Sequence, residues 1–180
     1  TALRLATAPA VAWHEVLIDC SDWTNAVKLL QQITQSAIDL FLCCLLEKKI
    51  VENIPSLLSK ANNHNCLLVL VSPDGISTLK SLASKYANNF THLGSENEKS
   101  GSCLRELSWN HTTLHMRAVD TDWTYLQMLL PQPEIVAIEL LKKKWGDDLL
   151  WHLEGVRQQG VQRLAALPLV RWRGRDALDE

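Results

Sequence analysis

The residues of this sequence best placed to do chemistry are acids that follow apolar runs. Asp19 lies near the end of residues 12–20, "AWHEVLIDC", Glu47 follows the apolar run 38–46, and Asp74 comes shortly after residues 65–72. In open parallel α/β sheets, ligands bind at the carboxyl ends of the strands. Several carboxylates there would hold Mg²⁺ for phosphoryl or phosphodiester chemistry. One hypothesis is therefore a metal-dependent hydrolase or nuclease that uses Asp19, Asp74 and Glu47.

Helix capping explains acids at these positions without any catalysis. Ser21 and Asp22 directly precede a stretch with helical spacing, and Asp74 precedes another. Ser and Asp at the N-cap stabilise a helix by about 1 kcal/mol. The stretch "EVLIDCSDWT", residues 15–24, is thus interpreted first as a core strand that runs into a capped helix.

Other kinds of active site lack their characteristic residues. The chain has seven glycines, and none precedes Gly75. Phosphate-binding loops need glycines directly after the first strand, so the sequence argues against a nucleotide site. The Gly-x-Ser-x-Gly motif of serine hydrolases is absent, and Ser72 is followed by Pro73. No cofactor is predicted, apart from Mg²⁺ under the hydrolase hypothesis.

Three apolar runs alternate with helical patterns in the first ninety residues. The runs at residues 12–20, 38–46 and 65–72 are typical of buried strands, and 21–37, 47–64 and 73–90 of helices. This alternation predicts an α/β three-layer sandwich with a mainly parallel sheet. Residues 91–102 are predicted to be a surface loop.

The remaining elements complete a predicted organisation in three segments. Residues 103–109 and 113–119 are expected to pair as an antiparallel hairpin at the edge of the sheet, within an α/β domain of residues 1–130. Residues 131–168 are predicted to be C-terminal helices that pack on this domain or on a partner. Residues 169–180 are predicted to be a flexible tail.

Tryptophan is unusually frequent, with seven tryptophans against two phenylalanines and two tyrosines. Large aromatic residues dominate the energetics of protein interfaces. The predicted partner-binding residues are Trp145, Trp151, Leu153 and Trp172. The favoured hypothesis is a non-catalytic α/β protein-interaction module or scaffold, a subunit or domain of a larger assembly whose partner is another protein chain. A weaker alternative is nucleic-acid binding by the C-terminal segment, where lysines and arginines alternate with tryptophans.

Charge, hydropathy and cysteine usage restrict the setting of the protein. The net charge is −2 and no apolar run approaches the roughly 20 residues of a membrane span, so a membrane partner is not expected. The five cysteines lie mostly inside apolar runs. This placement favours free, buried thiols in the cytoplasm or another reducing intracellular compartment.

Overall fold

A computed structural model describes residues 11–98, 104–108 and 111–176, and these ranges contain seven α-helices and ten strands. The helices are α1 (Trp23–Gln35), α2 (Lys48–Val51), α3 (Pro55–Leu58), α4 (Ile76–Ala83), α5 (Leu104–Ser108), α6 (His111–Val119) and α7 (Glu134–Trp145). The strands are β1 (His14–Cys20), β2 (Leu40–Leu46), β3 (Asn65–Val71), β4 (Asn89–Ser95), β5 (Trp123–Tyr125), β6 (Met128–Leu129), β7 (Leu149–Leu150), β8 (His152–Gln158), β9 (Val161–Ala166) and β10 (Leu169–Arg171).

Seven strands form one sheet in the order β4-β1-β3-β2-β8-β9-β6, and all neighbouring strands are antiparallel. Strands β1 and β2 both pair with β3, so they run parallel to each other with β3 between them. The order β4-β1-β3-β2, with α1 and α4 as crossovers, is that of the split β-α-β or ferredoxin-like motif. Strands β8, β9 and β6 extend this motif beyond β2.

The predicted mainly parallel sheet is wrong, although the three predicted strands β1, β2 and β3 exist. Near-continuous apolar runs report that both faces of a strand are covered, and they do not report its direction. Helix α1 connects β1 to β2, which lies two strand positions away in the sheet. Strand β3 then fills the position between them and runs in the opposite direction. The β-α alternation along the sequence was therefore compatible with antiparallel neighbours.

The predictions for the second half of the chain are also largely wrong. The predicted edge hairpin is replaced by α5 and α6, and the edge strand is β4, which lies in residues assigned to a helix and a loop. The helical prediction for residues 131–168 is confirmed only for α7. The rest of that segment forms β7, β8 and β9, and β10 follows in the predicted tail. Along β9 burial alternates, with Gln162, Leu164 and Ala166 buried, as expected for a strand.

Two hydrophobic cores cover the two faces of the large sheet. On the helical face, α1, α4 and α7 contribute Leu30, Leu79 and Ile138 to a core that includes Leu153 and Leu164. The other face is covered around β1, β3 and β2 by α2, α3, α5 and a three-stranded sheet of order β5-β10-β7. None of the helices in the described ranges is both long and apolar enough to cross a membrane.

Candidate functional site

The structure separates two of the three acids that were candidates for a metal site. Asp19 is opposite Cys66 near the start of β3, whereas Asp74 follows Val71 at its end. Five residues of strand span roughly 17 Å, so these two carboxylates lie at opposite ends of the sheet. A single Mg²⁺ with ligands at 2.0–2.1 Å does not bridge that distance.

Glu47 lies at the same end of the sheet as Asp19, but β3 separates them. Leu46 and Asp19 are both paired with Cys66, which places two strand spacings, roughly 10 Å, between their backbones. The carboxylate of Glu47 accepts hydrogen bonds from Lys142 Nζ at 2.8 Å and from the backbone amide of Trp151 at 2.9 Å. Within the described residues, no three His, Cys, Asp or Glu side chains are grouped so that they would hold a metal ion.

The capping interpretation is confirmed for Asp22, which accepts a hydrogen bond from the backbone amide of Asn25 at 2.7 Å. Asp74 makes no such bond and lies in a short 3₁₀ turn before α4. Asp19 is buried, and its Oδ2 accepts a hydrogen bond from Asn62 Nδ2 at 2.9 Å. Burial raises the pKa of Asp19, and the Asn62 hydrogen bond opposes that shift.

Most of the predicted partner-binding residues are not available at the surface. Trp151 and Leu153 are buried in the core of the helical face, and Trp145 packs against that core. Only Trp172 is substantially exposed, at 48%. Composition alone does not distinguish an aromatic or aliphatic residue of a core from one of an interface. Trp151, directly before β8, and Leu153, within β8, are both buried in the core.

The second face of the large sheet is open beyond β2. A cross-strand row of paired residues runs from Cys44 to Glu154, Ala165 and Leu129, on β2, β8, β9 and β6 in turn. Directly paired residues point to the same face of a sheet. Cys44 is fully buried, whereas Leu129 is 42% exposed. We call the outward surface of β8, β9 and β6 on this side the open face.

A histidine and a carboxyl lie together at the covered border of the open face. His152 is buried, and its Nδ1 is 3.3 Å from the hydroxyl of Thr112 on α6. Its Nε2 lies 3.7 Å from Glu154 Oε1 and has no hydrogen-bond partner. Burial lowers the pKa of His152 to about 4, and desolvation raises the pKa of Glu154. His152 is therefore neutral at pH 7, beside a carboxyl that gains protons more readily than usual.

Glu154 also borders a notch in the sheet where β2 and β8 diverge. The two strands pair only from Cys44 to Leu46, and the notch beyond has a volume of about 240 Å³. Its other lining residues include Phe41 and Val156, and polar and apolar atoms share the lining about equally. The guanidinium of Arg105 lies 3.8 Å from the centre of the Phe41 ring. A carboxyl with a raised pKa next to a small pocket is a candidate for accepting or donating a proton.

The sequence reasoning did not single out His152, Glu154 or Thr112. His152 and Glu154 are two residues apart in "HLEGVRQ", the spacing that places two side chains on one face of a strand. Residues 146–168 were predicted to be helical, and in a helix two residues at this spacing do not lie on the same face, so the sequence did not suggest that they are neighbours. A strand assignment would have shown the pair.

Comparisons with known proteins find likeness in fold alone. No family model matches the sequence, and no curated protein matches it closely enough to count as a relative. Two solved structures of alkyldihydroxyacetonephosphate synthase, in crystal forms P212121 and P1, are similar to the chain. The first has a TM-score of 0.54 and 13% identity and covers 94% of this chain and 37% of its own. The second has a TM-score of 0.51 and 14% identity, with 91% and 36% covered. The chain thus spans little more than a third of these synthases.

Proposed function

We propose that this chain is a docking domain of a larger enzyme and that its open face packs against the rest of that assembly. The observation that carries the proposal is the cross-strand row from Cys44 to Leu129, along which burial falls from the fully buried Cys44, through the partly buried Glu154 and Ala165, to the exposed Leu129. Antiparallel sheets commonly leave one face in water, so the support for a partner comes from the exposed apolar side chains of Leu129 and Val161 on this face. The synthases support the idea of a larger enzyme, because an equivalent fold makes up about a third of their chains.

The chemical character of the open face favours a protein as the partner. Leu129 is 42% exposed and Val161 54%, and both side chains lie on this face with the partly buried Ala165. Apolar side chains surrounded by polar ones are typical of surfaces that pack against other proteins. The proposed partner is therefore another domain or chain of the same enzyme.

A nucleic-acid partner has less support from the C-terminal arginines and lysines. Arg171 forms ion pairs with Asp120 and Asp148, and Arg173 binds Asp148 as well. Lys142 is held by Glu47. Cations that are engaged by internal carboxylates contribute little to phosphate binding, because a new phosphate contact would break the existing pair.

Glu154 and the notch would lie at the border between the two parts of the enzyme. In a cleft closed by the partner, Glu154 would lose its remaining water and its pKa would rise further. We assign to Glu154 the role of a proton donor or acceptor in that cleft. Neutral His152 lies beside it, and Thr112 fixes the orientation of the His152 ring. The other reacting groups would come from the partner.

Thiol labelling tests the docking surface. Leu129→Cys places a thiol on the open face, and Leu140→Cys places one on the exposed side of α7, where Leu140 is 63% exposed. Cys103 is replaced by Ser in both variants, and the four other native cysteines are buried, so labelling reports the introduced thiol. Because both introduced thiols are at exposed positions, each should react rapidly with a maleimide in the isolated chain. In the complete enzyme, labelling of Leu129→Cys should slow at least tenfold, and labelling of Leu140→Cys should not change. Equal labelling of Leu129→Cys in both states would refute the docking role.

A further inference from the structure

A second pocket, on the helical face, is lined mainly by amides. It lies between α1 and the start of α7, and its volume is about 620 Å³. Five glutamines border it: Gln31, Gln32, Gln35, Gln132 and Gln162. This amide groove is separate from the open face, because Gln162 belongs to the face of β9 that also buries Leu164 against the helices.

The fold places these amides by simple periodicity. Gln31 and Gln35 are one turn apart on α1, so they lie on one side of that helix. Gln162 follows the same alternation as Leu164 and Ala166, which are buried in the helical-face core. Gln162 thus places an amide side chain at a position where this strand otherwise buries apolar residues. Glu134, the first residue of α7, closes the groove from the other side.

Two buried polar atoms in this groove have no hydrogen-bond partner in the protein. They are Glu134 Oε1, an acceptor, and Gln162 Nε2, a donor, in residues that are 3% and 8% exposed. The second oxygen of Glu134 accepts from Gln31 Nε2 at 3.3 Å. Arg163 Nε, which also has no hydrogen-bond partner, lies 4.0 Å from Oε1, so the two groups form an ion pair but no hydrogen bond. Buried polar groups are almost always hydrogen-bonded, so these two atoms point to a bound molecule that satisfies them.

We propose that the amide groove binds a neutral, hydroxyl-rich small molecule of the saccharide or polyol class. A hydroxyl group donates one hydrogen bond and accepts another, so it satisfies both a carboxylate oxygen and an amide nitrogen. Each glutamine likewise offers a donor and an acceptor. Lys28 and Glu134 are the two charged residues of the lining, and Glu134 already forms an ion pair with Arg163; the other polar groups are uncharged, which favours a neutral ligand. The Tyr86 hydroxyl, which accepts from Gln32 Nε2 at 2.7 Å, adds a further polar group.

Side-chain amide resonances of the ¹⁵N-labelled protein provide the test. Glucose, sucrose and myo-inositol are titrated separately, and N-methylacetamide serves as a probe for a peptide ligand. We expect at least one of the three hydroxyl-rich probes to shift the groove glutamine signals along a saturating curve. The signals of Gln127 and Gln158, which are exposed away from the groove, should stay in place. Saturation with N-methylacetamide alone would replace the proposal by a peptide site.

Variants separate a site from a surface effect. Gln162→Leu removes the buried donor and should raise the dissociation constant about tenfold, since a hydroxyl would lose its partner there. Gln35→Ala, at an exposed position on the rim, tests the groove without risk to folding and should weaken binding several-fold. Gln127→Ala is the matched control and should have no effect. Non-saturating shifts with all three hydroxyl-rich probes, or equal affinity of Gln35→Ala and Gln127→Ala, would overturn the proposal.

Discussion

Glu47 and Trp151 are joined by two hydrogen bonds of the same length. The amide of Glu47 donates to the carbonyl of Trp151 at 2.9 Å, and Glu47 Oε2 accepts from the amide of Trp151 at 2.9 Å. Lys142 Nζ binds the other carboxylate oxygen at 2.8 Å. This arrangement ties the end of β2 to the segment before β8, where the ferredoxin-like part of the sheet meets the extension that carries the open face.

The first prediction is that Glu47 is a structural residue. Glu47→Ala should lower the free energy of unfolding by about 2 kcal/mol, because it removes a charge-assisted bond to a backbone amide and an ion pair that is partly buried. Glu52→Ala is the control, since Glu52 only meets Lys48 at 3.7 Å on the surface, and its effect should stay below about 0.5 kcal/mol. Urea denaturation measures both. Equal effects of the two variants would contradict the structural role.

The second prediction concerns the close contact of α1 with β8. A Cβ built on Gly155 would come within 2.0 Å of Thr34 Oγ1 and 3.2 Å of Leu30 Cδ1. Gly155→Ala should therefore destabilise the protein by about 1–3 kcal/mol through overpacking. Thr34→Ala removes the clashing oxygen, so Gly155→Ala should cost less in the Thr34→Ala background. A double-mutant cycle measured by urea denaturation gives this difference, and additive effects would show that α1 does not approach β8 so closely.

Local patterns predicted the first half of the chain well because the signals there are local. The apolar runs found β1, β2 and β3, and of the two predicted cap candidates, Ser21 and Asp22, Asp22 caps α1. Pro55, inside the stretch 47–64 that was predicted to be helical, is the first residue of α3. Strand direction is a non-local property, since it depends on which strand fills the space between β1 and β2, and the alternation along the chain does not contain it.

The second half was mispredicted because a turn was not recognised. Gln159 and Gly160 both have positive φ, at 53° and 78°, and they join β8 to β9 as a two-residue hairpin. Gln-Gly is a weaker turn signal than Asn-Gly, and the apolar residues from Leu149 to Leu167 also fit a helical stripe. With the hairpin missed, the open face, His152 and Glu154 were missed as well, and Trp151 and Leu153 were assigned to an interface rather than the core.

The third prediction follows from the buried His152. Its pKa falls from 6.5 to about 4 on folding, so the unfolded chain binds a proton that the folded chain does not between these pH values. The contribution of neutral His152 to stability is present above pH 6.5 and is lost as the pH falls toward 4, by about 3 kcal/mol in all. His152→Gln should remove this part of the pH dependence, because a glutamine amide does not titrate in this range. The amide can still form a hydrogen bond with the hydroxyl of Thr112.

Urea denaturation of both proteins between pH 4 and pH 7 measures this effect. The nearby groups that also bear on it are Glu154, whose carboxyl lies 3.7 Å from His152 Nε2, and the buried thiol of Cys44, which is paired with Glu154. Burial and the charge of Glu154 hold the pKa of Cys44 well above its usual value, so this thiol does not titrate in the range. If His152→Gln and the unmodified chain lost stability in parallel, His152 would be accessible to protons in the folded state.

The last prediction concerns Glu154, the acid at the border of the open face. Desolvation raises its pKa above 4.5 in the folded chain, so its ionised form is disfavoured by folding. Stability from the protonated form is present below pH 4.5 and is lost as the pH rises through the folded-state pKa. Glu154→Gln should therefore be more stable than the unmodified chain at pH 7, and the difference should vanish below pH 4.5.

Glu139→Gln, at an exposed carboxyl on α7, provides the matched control and should change stability little at either pH. A residue that destabilises its own domain is expected where function needs it, because stability and activity conflict at such positions. Under the proposed function, Glu154→Gln in the assembled enzyme should thus combine higher thermal stability with lower turnover. A Glu154→Gln chain that is no more stable at pH 7 than the unmodified one would show that water reaches this carboxyl freely, and the notch would then lack the desolvation on which its proposed role in proton transfer depends.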